Sequence, residues 1–148
     1  MSIVRTANTE DFETVAGYER EISVISFGDQ AVIDLDFHIR KLENSFKKER
    51  DGMLVLEDFG EIRGWLWMAL KSNSLTGERY VNFKSFYLEE GYRNAECSNR
   101  LLGAGMSFCE KSGAKSVTGK VHAKNLAMRV LYKNFGFEPT HITMERRL

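Results

Sequence analysis

Residues 92–98, Tyr92-Arg93-Asn94-Ala95-Glu96-Cys97-Ser98, are where the chain comes closest to a ligand site built from backbone geometry. Residues 80–88 before them read as a strand, and residues 97–112 after them read as a helix. A strand that enters a helix through a short loop presents the unpaired first N–H groups of that helix, and the aligned peptide dipoles add partial positive charge. Such a junction binds phosphate. Cys97 stands at the same helix start, where a thiol can become more acidic; a small buried residue is the competing reading.

The rest of the composition narrows the chemistry. Twenty-one basic and 21 acidic residues balance, which argues against a nucleic-acid partner. Their distribution is uneven: residues 1–70 hold 14 acidic and 8 basic side chains, while residues 111–148 hold 2 and 8. One reading is solvated helix faces; the other is a basic half (Lys111, Lys115, Lys120, Lys124, Arg129, Lys133) facing a polyanion, and an acidic half facing a cation. Asp34 and Asp36 are the first acids to suspect in that second reading. His38, His122 and His141 lie far apart, without a Cys or His at ligand spacing, so no metal site is expected. Two cysteines in one helical segment do not suggest a disulfide and fit a reducing compartment. No apolar run reaches the ~20 residues that span a bilayer, and no leader opens the sequence, so a cytoplasmic protein with no membrane partner is expected. The 148 residues suffice for one domain, 1–148.

The elements that would position the loop follow from periodicity. Ile3–Ala7 is a short apolar run, and Thr9 with Glu10 and Asp11 reads as a helix start. Residues 34–50 repeat Leu35, Ile39, Leu42 and Phe46 at helical spacing. Met53–Glu57 and Ile62–Leu70 form a hairpin through Gly60, and Tyr80–Leu88 follows as a third antiparallel strand, with Val81, Phe83, Ser85 and Tyr87 on one face and Asn82, Lys84, Phe86 and Leu88 on the other. Cys97, Leu101, Ala104, Gly105, Phe108 and Cys109 make one helical stripe stopped by Gly113. Val117–Val121 reads as a strand, Asn125–Phe135 as a helix and His141–Glu145 as a last strand. The strand–helix–strand order over 80–121 predicts a right-handed crossover to a parallel neighbour. The fold class is therefore α+β: a mixed, mostly antiparallel sheet with one parallel pair, flanked by about four helices.

At this point the chain resembles the GNAT acyltransferase superfamily, whose signature is Arg/Gln-x-x-Gly-x-Gly/Ala entering a helix. Tyr92-Arg93 leads to Gly113-Ala114, then Asn125, Leu131-Tyr132 and Gly136-Phe137, all at the distances that family shows. In motif the resemblance covers residues 80–137, and the two glycine positions hold Glu96 and Ser98. Arg100-Leu101-Leu102-Gly103-Ala104-Gly105 matches the signature literally, but reading it as the loop would break the helical stripe and place two leucines in solvent.

The resemblance implies an N-acetyltransferase that moves an acetyl group from acetyl-CoA to a primary amine. Phe86, Tyr87 and Leu88 would lend backbone groups to the pantetheine arm; Arg93, Asn94, Ala95, Glu96 and Ser98 would form the pyrophosphate loop; and Asn125 would bond the arm or cap its helix. Tyr132 would be the catalytic general acid toward the departing thiolate. A general base remains open among Glu78, Glu89 and Glu90. The acidic N-terminal half hints at a cationic acceptor, and a homodimer is admitted. The rival reading is a non-catalytic module of the same fold, with weak or lost CoA binding.

Overall fold

A computed structural model describes residues 2–148. Five strands lie in the order β1-β2-β3-β4-β5: β1 Ser2–Thr6, β2 Met53–Asp58, β3 Glu61–Ser72, β4 Arg79–Leu88 and β5 Val117–Gly119. The first four pair antiparallel, and β4 pairs with β5 in parallel. The helices are α1 Phe12–Phe27, α2 Leu35–Glu49, α3 Ala95–Lys111 and α4 Leu126–Asn134. The mixed sheet with one parallel pair and four flanking helices is the predicted architecture.

Helices α1 and α2 cover one face of the sheet and α3 the other, so β3 is buried on both sides from Gly64 to Ala69. Toward α1 and α2, β3 presents Trp65 and Trp67, each fully buried. Their indole N–H groups donate to carboxylates, Trp65 to Glu19 and Trp67 to Glu49, both at 3.1 Å, as a buried tryptophan requires. On the other face Leu66 and Met68 meet Leu101, Leu102 and Cys109 of α3. Burying a side chain such as Leu42, Leu66 or Leu101 contributes about 2 kcal/mol.

Three local features differ from the sequence reading. Asn8, not Thr9, caps the first turn: its side chain accepts from Glu10 N–H while Asp11 accepts from Asn8 N–H at 2.9 Å. The faces of β4 change phase at a bulge, because Trp67 pairs with Ser85 but Met68 with Phe83, leaving Lys84 as the extra residue. Val81, Phe83, Phe86 and Leu88 therefore share the α3 side, and Tyr87 packs with the α1 side. Finally, His141–Glu145 is not a strand, and Ile142 and Met144 are 84% and 87% exposed. It pairs with no described strand, and the sheet ends at the three-residue β5.

The glycines of the literal signature lie inside α3. A Cβ at Gly105 would collide with Leu66 and Met68, whereas Gly103 faces open space. Gly105 thus lets α3 approach β3 closely. Gly105→Ala is expected to destabilise the fold by about 1–3 kcal/mol, and Gly103→Ala to stabilise it by about 0.5–1 kcal/mol. Urea unfolding of the two variants checks both signs.

Candidate donor-binding site

Strand β4 has a neighbour on each side only as far as Phe83, where its register with β5 ends at Gly119. Beyond the Lys84 bulge, β4 continues to Leu88 against β3 alone. Glu89 N–H bonds Arg63 C=O on β3 at 2.9 Å; strand alternation then turns the backbone groups of Phe86 and Leu88 to the open side. Leu88 C=O on that side already accepts from Arg93 Nε at 2.7 Å. Tyr87 turns its backbone toward β3, and its ring stacks on Tyr18 of α1 with centroids 4.7 Å apart.

At the end of β4, α3 starts at Ala95 with Asn94 as its cap. The Asn94 side chain accepts from Cys97 N–H at 2.9 Å, and its carbonyl accepts from Ser98 N–H at 3.0 Å. The cap is therefore Asn94, and Ser98 lies one turn inside the helix. The N–H groups of Ala95 and Glu96 remain as donors at an exposed helix start. The Glu96 carboxylate, 80% exposed, turns along the helix to Arg100, 3.4 Å away. Its charge is thereby partly offset and its backbone left accessible. The Arg93 guanidinium lies over the Tyr87 ring, 5.3 Å from its centroid.

Tyr132 stands on the other side of the opening. It is 9% exposed and packed by Phe83 and Phe137 at centroid distances of 5.2 and 4.8 Å. Its hydroxyl sits against Gly119 at the end of β5, where a Cβ would collide with it. No side chain among the described residues bonds that hydroxyl, and burial pushes its pKa up to about 12. Asn125 caps α4, accepting from Met128 N–H at 3.2 Å. It also lines a cleft of about 460 Å³ between Ile25 and Ser26 of α1 and the segment His122, Lys124, Leu126 and Ala127.

The predicted residues thus fall into separate places: Phe86, Leu88, Arg93, Asn94, Ala95 and Glu96 along the open edge and helix start, Tyr132 against the end of β5, and Asn125 at the start of α4, facing α1. Of the three carboxylates considered as bases, Glu78 and Glu90 are exposed, while both oxygens of Glu89 are engaged, by Arg63 and Tyr18. Sequence reasoning missed Tyr18, Arg63, Ile25 and Ser26, because it assigned no face of α1 or β3 to the site. Lys84, which the sequence places on one face of the strand, has its amine over Trp67, 3.8 Å from the centroid, and 3.3 Å from Glu49. Desolvation lowers its pKa. Of the acids in residues 1–70, Asp11 and Glu57 pair with Arg5, Glu61 with Arg63, and Glu49 with Lys71 and Lys84, while Arg63 also pairs with Glu89 from beyond that half. Asp34 caps α2 by accepting from Asp36 N–H.

The fold and this geometry define a class. The family model described as acetyltransferase (GNAT) family matches residues 15–137, and the chain belongs to that family. A curated relative is an uncharacterised N-acetyltransferase, YycN, of Bacillus subtilis (strain 168), 28% identical over 88 residues. That match covers 60% of this chain and 55% of the relative, so it spans about half of the relative's length. Among solved structures, AAC(6')-Iy in complex with the bisubstrate analogue CoA-S-monomethyl-acetylneamine superposes with a TM-score of 0.78 at 14% identity, covering 100% of this chain and 98% of that one. The ribosomal-protein-alanine N-acetyltransferase of Brucella melitensis biovar Abortus 2308 does so with a TM-score of 0.76 at 13% identity, covering 100% of both chains. No helix among the described residues is long and apolar enough to cross a membrane.

The buried phenol has a measurable consequence. A tyrosine whose folded pKa lies above its unfolded value adds stability that is fully present below the unfolded pKa and is lost as pH rises through the folded one. With Tyr132 raised from 10.0 to about 12, stability is expected to fall from pH 10 to pH 12 by about 2–3 kcal/mol from this group. Urea unfolding between pH 8 and pH 12 should show a shallower fall in Tyr132→Phe.

Proposed function

We propose that the protein is an N-acetyltransferase that moves an acetyl group from acetyl-CoA to a primary amine by direct transfer. The observation that carries the reading is the open edge of β4 beyond Phe83, with a helix start at one end and the Tyr132 hydroxyl across from it. The residues present fit acetyl-CoA in kind. Outward backbone groups at Phe86 suit an amide-bearing arm, the free N–H groups of Ala95 and Glu96 suit a phosphate, and the unused amide N–H₂ of Asn125 can donate to the arm.

When bound, acetyl-CoA supplies a thioester carbon open to attack by an amine and a thiol as leaving group. Tyr132 keeps its proton on Oη throughout the neutral range, because burial opposes the phenolate. With a pKa about three units above a thiol's 8–9, full proton transfer costs about 4 kcal/mol. Its favoured role is therefore to donate a hydrogen bond to charge developing on sulfur. Gly119 leaves that hydroxyl its place. The chain holds the two partners in place, and orientation supplies much of the rate. Glu78, Glu89 and Glu90 make no good base here, so an acceptor that reaches the site already deprotonated is part of the reading.

A binding module without chemistry is the second reading. It is favoured by Asn94, whose side chain occupies the Cys97 N–H that a glycine loop leaves free for phosphate. Release of free thiol from acetyl-CoA separates the two, measured with a polyamine, an aminoglycoside and a peptide with a free N-terminal alanine. Amine-dependent release by at least one acceptor is expected, falling about 10²-fold in kcat for Tyr132→Phe and also falling for Gly119→Ala. Release with none of them, despite tight CoA binding, supports the module.

A further inference from the structure

We propose that Glu89 is a positioning residue for the donor site, a role that rests on the acetyl-CoA reading above. It holds the loop 89–94 against the sheet and so fixes where the first N–H groups of α3 point. The loop is pinned at three places by groups from other elements. At its start the Glu89 carboxylate accepts from Arg63 Nη1 at 2.9 Å and from the Tyr18 hydroxyl. Tyr18 is itself fixed, 6% exposed, with its hydroxyl 2.9 Å from Ile62 C=O and its ring stacked on Tyr87. Three residues on, Tyr92 donates to Asp58 Oδ2 at 2.7 Å, and the Arg63 guanidinium lies over its ring. Next to it, Arg93 donates to Leu88 C=O and covers the Tyr87 ring.

Asn94 and Ala95 follow directly, so the entry angle of α3 is set by this clamp. Residues 92–98 contain no glycine and cannot wrap a phosphate by backbone freedom. What remains is preorganisation: two N–H groups bind an anion well only if they are already aimed at it. Glu89 is the hub, because its carboxylate joins α1, β3 and the loop, and charge-assisted bonds hold such a junction better than neutral ones. With both oxygens engaged, it is not free to take a proton from an acceptor.

The test compares wild type with Glu89→Gln and Tyr18→Phe. Each is measured for thermal midpoint, for calorimetric binding of CoA and acetyl-CoA, and for steady-state rates with whichever amine of the panel above reacts fastest. The expected result is a tenfold or greater rise in the dissociation constant of CoA and in KM for acetyl-CoA in both variants. Thermal midpoints should stay near wild type and kcat within twofold. Tyr18→Phe, which removes only a hydroxyl, carries the test if Glu89→Gln does not fold. Unchanged CoA affinity in a folded variant overturns the positioning role and leaves the acetyl-CoA reading standing. Collapse of kcat with KM unchanged also overturns it, and makes Glu89 the general base. Absence of CoA binding by the wild type overturns the positioning role together with the reading it rests on.

Discussion

A strand within a sheet bonds to a neighbour on each side, and β4 does so only until Phe83, where the three-residue β5 ends. The cost of leaving backbone polar groups without partners is high when they are buried. The fold keeps this edge accessible instead, and the Lys84 bulge turns the strand at the point where the second neighbour is lost. The bulge also resets which side chains face which helix: Phe86 and Leu88 join Phe83 on the α3 side, and Tyr87 meets Tyr18. Without that phase change Tyr87 would not be available to link α1 with Arg93.

The wall opposite the open edge follows from the same packing. Tyr132 comes in over Phe83 and is closed off by Phe137, with its hydroxyl accommodated only because residue 119 is glycine. The group placed nearest the gap is therefore a protonated phenol in an apolar setting, which donates but does not accept readily. The arrangement suits stabilising charge on a leaving atom better than activating an acceptor. Of the carboxylates considered as bases, Glu89 is engaged by Arg63 and Tyr18, and Glu78 and Glu90 are exposed.

Much of this architecture was legible in the sequence. The helical stripe from Cys97 to Cys109 and the hairpin through Gly60 show strong periodicity and turn chemistry, and these elements are long enough for the pattern to decide. The bulge was not legible, because an inserted residue leaves Asn82–Leu88 looking like ordinary alternation; only the pairing with β3 reveals it. Residues 141–145 alternate as well as many strands do, yet strand formation needs a partner edge, which no local pattern encodes. For the candidate site, the sequence singled out Tyr132, Asn125 and the 93–98 loop. It overlooked Tyr18 and Arg63, whose part depends on contacts across 71 and 26 positions of chain. It also placed Ser98 at the helix entrance, where Asn94 takes the capping position.

The central claim is that a donor molecule lies along the open edge of β4 and ends at the start of α3, although that start lacks glycines. Backbone amide shifts followed by NMR during titration with CoA address it residue by residue. The account predicts the largest shifts at Phe86, Leu88, Ala95 and Glu96, with the Asn125 side-chain amide moving as well and Gly103 and Gly105 nearly still. Shifts centred on 100–105, or saturation that leaves Phe86 and Ala95 unmoved, would contradict it.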